Sequence, residues 1–182
     1  MFITRRLASA LPRASSQRAW FHSTRPAFVK VGDSIPNLDI LVEGSPGNKV
    51  NLAAELPGNG IIVGVPAAFS PACSSTHVPG YINHPKLKEA GKVFVIAVND
   101  AFVTKAWGAT LDPQGSSGVR FLGDPTGEFT EALDLAFDGT ALFGNHRSKR
   151  YALVIKEGKV KEAHVEPDNT GLNVSAAEKV LG

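Results

Sequence analysis

Two almost unbroken apolar runs constrain the fold more than any other feature of the sequence. They are IIVGV at 61–65 and VFVIAV at 93–98, and both are rich in β-branched residues. Neither run alternates with polar residues, as a strand with one solvent-facing side would. Both are therefore predicted to be strands that are covered on two faces. Because helices usually provide that cover, the chain is predicted to be an α/β protein.

Weaker patterns along the chain extend this prediction to one domain over 29–182 with a mixed central sheet flanked by helices. A Gly-containing loop, KEGK, indicates a hairpin near the C-terminus. The predicted strands are 38–42, 119–122, 151–155 and 160–165, in addition to the two apolar runs. The predicted helices are 101–111, which follows the capping residues Asn99 and Asp100, 126–137 and 174–181.

The first 28 residues differ in charge from the rest of the chain. They hold five arginines and no acidic residue, whereas 29–182 has 14 Lys and Arg against 17 Asp and Glu. The segment is also rich in serine, with apolar residues at roughly helical spacing. This composition is typical of a mitochondrial transit peptide, so 1–28 is predicted to direct the protein to the mitochondrion, in the matrix. A basic tail that binds nucleic acid is the alternative.

Other targeting and partner classes fit the sequence less well. The arginines interrupt every apolar stretch that could serve as a secretory signal, and no run approaches the ~18 apolar residues of a membrane span. The remainder after 1–28 is mildly acidic. We therefore expect neither membrane insertion nor a nucleic-acid partner.

Cys73 is the only cysteine of the chain, which excludes an internal disulfide and a Cys-rich metal site. It follows the first apolar run in GVPAAFSPACSSTH. Ser70 is a good N-cap and Pro71 suits the first helical position, so Cys73 is predicted at the third. Unpaired N–H groups and the helix dipole favour an anion there, and the thiol should lose its proton readily. A buried, inert cysteine is the alternative.

Three neighbours of Cys73 in the sequence have chemistry that suits such a site. Pro66 has no N–H and could shield one side of the sulfur, and the Ser70 hydroxyl could hold a small oxygen-rich substrate. His77 lies four residues after Cys73, on the same helix face. A catalytic base is conceivable at that position, but a structural or supporting role is the preferred interpretation.

The segment GVPAAFSPACSSTHVPGY resembles the active-site segment of peroxiredoxins, in particular the type-5 subfamily, which is called type II in plants. The resemblance continues through VNDAFVTKAWG, DPTGEF and LFGNHRSKRYALVI to VEPDNTGLNVS, and so covers nearly the whole chain from about residue 29. It implies a thioredoxin-like fold. It also implies thiol-dependent reduction of hydrogen peroxide and alkyl hydroperoxides, with no cofactor and no metal.

The resemblance also implies a role for four residues. Cys73 matches the peroxidatic cysteine, whose thiolate attacks the peroxide and becomes sulfenic acid. Ser70 matches the family's Thr or Ser, which hydrogen-bonds the peroxide, and Pro66 matches the proline that screens the sulfur. Arg150 matches the arginine that favours the thiolate and polarises the O–O bond.

The sequence departs from many relatives because it lacks a resolving cysteine. The positions that correspond to that cysteine in animal-like and plant-like members are Val174 and Val95. The sulfenic acid would therefore need an external thiol, with glutathione, alone or with glutaredoxin, as the first choice and thioredoxin as the second. The resemblance further implies a homodimer through the face that carries the active-site loops, with Phe69 and residues near Phe143 as contacts.

Two other functions remain open at this point. One is a peroxide sensor or redox relay that uses the same cysteine without sustained turnover. The other is a catalytically inactive interaction module, which is disfavoured because Pro66, Ser70, Cys73 and Arg150 are all present.

Overall fold

The computed structural model describes residues 29–182, so segment 1–28 with its predicted transit peptide lies outside the described residues. No helix within 29–182 is long and apolar enough to cross a membrane. The strands are β1 (Leu41–Glu43), β2 (Ser45–Val50), β3 (Gly60–Val65), β4 (Lys92–Ala97), β5 (Arg120–Gly123), β6 (Ala136–Asp138), β7 (His146–Ser148), β8 (Tyr151–Lys156) and β9 (Lys159–Val165). The α-helices are α1 (Leu52–Glu55), α2 (Val78–Ile82), α3 (Ala101–Leu111), α4 (Glu128–Ala132), α5 (Thr140–Phe143) and α6 (Ala177–Val180).

Seven of these strands form one mixed sheet in the order β2-β1-β5-β4-β3-β8-β9. The three central strands β3, β4 and β5 run parallel. On one side β8 pairs antiparallel with β3 and β9 with β8, and on the other side β1 pairs antiparallel with β5. Strands β6 and β7 form a separate two-stranded sheet. The predicted α/β class with a mixed central sheet is confirmed.

Side chains on the central strands alternate between two apolar cores, one on each face of the sheet. Ile62 of β3 packs in the same core as Phe94 of β4. Its neighbours Ile61 and Val63 lie in the opposite core with Val95. This burial on both faces explains why the sequence of β3 and β4 has no polar alternation, as predicted.

Several predicted elements have the expected bounds, and the local chemistry explains them. Helix α3 covers 101–111 as predicted, and its N-cap Asp100 accepts hydrogen bonds from the N–H groups of Phe102 at 2.8 Å and Val103 at 2.9 Å. The β8–β9 hairpin turns through Glu157 and Gly158, which both have positive φ.

Other predicted bounds are wrong. The helix predicted at 126–137 ends at Ala132, because Asp134 adopts a left-handed φ of 55° and Ala136–Asp138 pairs with β7 as strand β6. The strand predicted at 38–42 begins only at Leu41, and the C-terminal helix is limited to Ala177–Val180. Strand β2 was not predicted, because most of its residues are polar and exposed on the edge of the sheet.

Gly64 allows the antiparallel pair of β3 and β8 to close. It faces Tyr151 in the register of this pair, and a Cβ atom on Gly64 would collide with the buried Tyr151 ring. The aromatic ring thus occupies the space that any other side chain at position 64 would need.

We predict that Gly64→Ala lowers the free energy of unfolding by about 2 kcal/mol or more, because the added Cβ atom would force a fully buried ring to shift. Gly47→Ala is the matched control, since Gly47 lies in an exposed strand where an added Cβ atom would meet no heavy atom within 4 Å. Urea unfolding measures both variants, and equal stability of the two would contradict this account of the packing.

Candidate active site

The chain turns sharply at the end of β3 and then starts the helix that carries the cysteine. This helix begins at Pro71 and continues through a π-helical segment, Cys73–His77, into α2. The N–H of Ser74 donates to the carbonyl of Ser70 at 3.0 Å. Ser70 therefore occupies the N-cap position and Cys73 the third helical position, as predicted. Phe69 in the turn has a positive φ of 61°, a backbone conformation that is strained for a bulky residue.

Two hydrogen-bond donors approach the sulfur of Cys73, whose side chain is fully buried. Ser70 Oγ lies 2.8 Å from Cys73 Sγ, and Arg150 Nη1 lies 3.3 Å from it. Ser70 Oγ is also 3.0 Å from the carbonyl oxygen of Ala67. Since the hydroxyl has one hydrogen, it donates to one of these acceptors at a time, and an ionised sulfur would be the stronger acceptor.

Arg150 reaches this place because of the register of β3 and β8. Gly64, next to the end of β3, faces Tyr151 at the start of β8. Arg150 directly precedes Tyr151, so it lies beside the turn where β3 gives way to the Cys73 helix. The resemblance singled out Arg150, and the geometry brings Ser70, Cys73 and Arg150 together. Pro66 is buried at the start of the same turn.

The guanidinium of Arg150 is held almost entirely by uncharged acceptors. The side chain is 2% exposed. Nε donates to the carbonyl oxygens of Gly171 at 2.8 Å and Thr170 at 3.1 Å, and Nη2 donates to Thr170 at 3.0 Å. Within 29–182, none of the ion pairs involves Arg150. A buried cation is costly unless an anion compensates it, and the ionised sulfur of Cys73 would provide that anion.

Arg150 Nη1 carries two hydrogens, and His77 is the acceptor for the one that does not point to the sulfur. The hydrogen-bond partners of the imidazole fix the tautomer of His77. His77 Nε2 lies 3.1 Å from the carbonyl oxygen of Ser175, which only accepts, so Nε2 carries the proton. His77 Nδ1 lies 3.1 Å from Arg150 Nη1, which only donates, so Nδ1 is the acceptor. Burial, followed by the positive charge of Arg150, lowers the pKa of His77 from 6.5 to about 3. The imidazole is therefore neutral, and the conceivable role as a catalytic base near neutral pH is not supported.

A loop after β9 supplies the acceptors for both His77 and Arg150. The carbonyl oxygen of Ser175 accepts from Tyr81 Oη at 2.7 Å as well as from His77. The buried carboxylate of Glu166 accepts through Oε1 from the N–H and Oγ of Ser175, at 2.9 and 2.8 Å, and from the N–H of Asn173 at 2.7 Å. This carboxylate therefore fixes Ser175, whose carbonyl joins the loop to the Cys73 helix.

No strong sequence signal marks Glu166, Ser175 or the carbonyls of Thr170 and Gly171 as part of the site. Main-chain carbonyls exist at every position, so no residue type marks those that accept from Arg150. Glu166 offered a weak signal, because it is an acidic residue directly after a strand in the VEPDNTG segment. Within 29–182, no group of three or more His, Cys, Asp or Glu residues is arranged to hold a metal ion.

The chain is similar to known proteins over almost all of its described length. The Redoxin family model matches residues 30–181. Peroxisomal membrane associated protein 20 of Schizosaccharomyces pombe is 46% identical over 159 residues, which cover 85% of this chain and 98% of that protein. The crystal structure of peroxiredoxin 5 from Alvinella pompejana is 36% identical, with a TM-score of 0.72 over 84% of this chain and 96% of that one. Reduced Prx3 from Vibrio vulnificus in complex with H2O2 is 34% identical, with a TM-score of 0.73 over 84% and 97%.

The fold is therefore thioredoxin-like, and the protein is a thiol-dependent oxidoreductase. The chain belongs to the Redoxin family and, within it, to the peroxiredoxins, which are thiol peroxidases.

The lowered pKa of His77 predicts a loss of stability in mild acid. Between pH 6.5 and about 3 the unfolded chain binds a proton at this residue that the folded protein does not bind. Stability from this group is thus complete above pH 6.5 and falls by up to about 1.4 kcal/mol for each pH unit below it. Urea unfolding at pH 7 and pH 5 should show an acid loss that is about 1–2 kcal/mol smaller in His77→Asn than in the native protein. An equal loss in both proteins would contradict the neutral, buried imidazole.

Proposed function

We propose that this protein is a one-cysteine peroxiredoxin of the type-5 kind, which reduces hydrogen peroxide and alkyl hydroperoxides at Cys73. The observation that carries the proposal is the position of the Cys73 sulfur, buried at a helix N-terminus with Ser70 Oγ and Arg150 Nη1 as its donors. The similarity to a solved peroxiredoxin 5, and to a Prx3 determined in complex with H2O2, supports the subfamily and the substrate.

The proposed first step is attack of the Cys73 thiolate on the terminal oxygen of the hydroperoxide. An S–O bond forms, the O–O bond breaks, and the proton of the hydroperoxide goes to the leaving oxygen. Thiolate and ROOH thus become sulfenate and ROH, with sulfur oxidised and the peroxide reduced. Arg150 remains charged throughout and stabilises the negative charge that develops on the oxygens, and Ser70 orients the peroxide. Pro66 screens the sulfur from one side.

The second step needs an external thiol, because the chain has one cysteine. The sulfenate takes up a proton, and the first reductant thiol displaces water from the resulting sulfenic acid to form a mixed disulfide. A second reductant thiol attacks the reductant sulfur of that disulfide, which releases the Cys73 thiolate and a proton and leaves the reductant as its own disulfide. Glutathione, with or without glutaredoxin, is our first choice, since a small thiol reaches a fully buried sulfur more easily than a protein thiol does. Thioredoxin is the second choice.

The direct test is peroxide consumption by the purified protein with glutathione and glutaredoxin, or with thioredoxin and its reductase. We expect repeated turnover, faster in the glutathione system, and complete loss in Cys73→Ser, which removes the nucleophile. Absence of Cys73-dependent turnover with either system would contradict the peroxidase proposal. A single stoichiometric oxidation would instead favour a peroxide sensor or redox relay.

We also propose a homodimer through the loops that surround the site. Three apolar side chains lie exposed there, Phe69 at 53%, Phe102 at 63% and Leu142 at 75%. Two hydrogen bonds join the segments that carry them, from Ala68 N to Asn99 Oδ1 at 3.1 Å and from Arg147 Nη1 to the Val98 carbonyl at 2.6 Å. Burial of this surface in a dimer would remove apolar side chains from water.

Phe102→Glu and Leu142→Glu should each shift the protein from dimer to monomer in analytical ultracentrifugation, because a buried, unpaired carboxylate opposes association. The control is Val31→Glu, since Val31 is 67% exposed and lies beside β9 near its Lys159 end, away from these loops. A native protein that remains monomeric at high concentration would contradict the dimer.

For location we propose the mitochondrial matrix, on the basis of the acid-free, arginine-rich segment 1–28. The Schizosaccharomyces pombe relative is named as a peroxisomal protein, so the two destinations need to be distinguished. A fluorescent protein fused after residue 28 should enter mitochondria, and replacement of the five arginines by glutamine should prevent this. Delivery of the full-length protein to peroxisomes would contradict the proposal.

A further inference from the structure

His77 contacts the same guanidinium nitrogen of Arg150 that approaches the Cys73 sulfur. Nη1 of Arg150 carries two hydrogens, and its two acceptors are the Cys73 sulfur at 3.3 Å and His77 Nδ1 at 3.1 Å. The remaining nitrogens of the guanidinium donate to the carbonyls of Thr170 and Gly171. Because the guanidinium is planar, fixing one Nη1 hydrogen on His77 directs the other toward the sulfur.

The imidazole is itself fixed from its far side. Its Nε2–H donates to the carbonyl oxygen of Ser175. Ser175 is in turn fixed by the buried Glu166 carboxylate, which accepts from its N–H and its hydroxyl. Tyr81 also meets the imidazole edge-on, with ring centroids 5.6 Å apart. The charged groups that face His77 through these contacts are Arg150 directly and Glu166 through Ser175. The ring is thus locked in one tautomer, with a lone pair aimed at Arg150.

We propose that His77 is a positioning residue of the peroxidatic site, which orients Arg150 toward the Cys73 sulfur through a neutral Nδ1 acceptor. His77 donates no proton to the reaction and does not touch the peroxide. This role rests on the proposed function of the site. The contacts of His77, Arg150 and Cys73 on which it is based belong to the reduced protein, so they can be tested without turnover.

Two substitutions separate the two contacts of His77. The side-chain oxygen of His77→Asn can occupy the Nδ1 place and accept from Arg150, but it has no donor that reaches Ser175. The amide of His77→Gln can reach the Ser175 carbonyl, but it has no acceptor at the Nδ1 place. The same two substitutions at His84, a partly exposed histidine whose Nδ1 accepts from Lys86 N, are the matched controls.

The readouts are the rate of peroxide attack and the pH profile of Cys73 alkylation by iodoacetamide, with circular dichroism as the check on folding. We expect His77→Gln to slow peroxide attack about tenfold or more, which corresponds to ~1.4 kcal/mol, and to move the alkylation profile to higher pH. His77→Asn should stay within about threefold of the native rate, a difference below ~1 kcal/mol, and the His84 variants should be unchanged. Equal effects of the two His77 variants, or a larger effect in Asn than in Gln, would overturn the proposal.

The proposal can be tested even if the His77 variants do not fold or the native protein lacks turnover. If the variants do not fold, ¹⁵N NMR of the native protein measures the tautomer and charge of His77 directly. The proposal requires an Nε2-protonated, neutral His77 at pH 6, and a protonated Nδ1 would overturn it. If the native protein lacks peroxidase turnover but the alkylation profiles still separate Gln from Asn, the proposed function fails while the positioning role stands.

Discussion

The structure depends on how one buried cation is accommodated. Arg150 is 2% exposed and is not part of any ion pair in residues 29–182. Loop carbonyls and an imidazole satisfy most of its hydrogens, and the sulfur of Cys73 takes another. Because uncharged acceptors do not cancel its charge, the guanidinium is placed to stabilise negative charge that develops beside it. Burial and, after it, the same charge lower the pKa of His77.

The fold provides this arrangement through elements that are far apart in sequence. The parallel strands bring the Cys73 helix to the end of β3, and the antiparallel pairing of β3 with β8 places Arg150 beside that end. The loop after β9 then covers the guanidinium, with Glu166 holding Ser175 in place. A change in the β3–β8 register would separate Arg150 from the sulfur, which makes the close contact of Gly64 with Tyr151 relevant to the site as well as to stability.

Sequence patterns predicted those parts of the molecule that local rules determine. Strands β3 and β4, helix α3 and the placement of Cys73 at a helix start follow from β-branched runs and capping residues. Strand β6 was mistaken for helix because the apolar spacing of Phe129, Leu133 and Ala136 is helical, while pairing with β7 decides the structure. The contact of His77 with Arg150 joins positions 73 residues apart, and no local pattern encodes such a pair.

The central proposal is that the buried charge of Arg150 assists the attack of Cys73 on peroxide, and the single-turnover rate of Cys73 oxidation tests it most directly. Formation of sulfenic acid after mixing with peroxide gives this rate, and Cys73→Ser gives the background. We expect Arg150→Met, which removes the charge but retains an unbranched side chain, to slow the oxidation about tenfold or more, which corresponds to ~1.4 kcal/mol. An unchanged rate of oxidation in folded Arg150→Met would contradict the proposal.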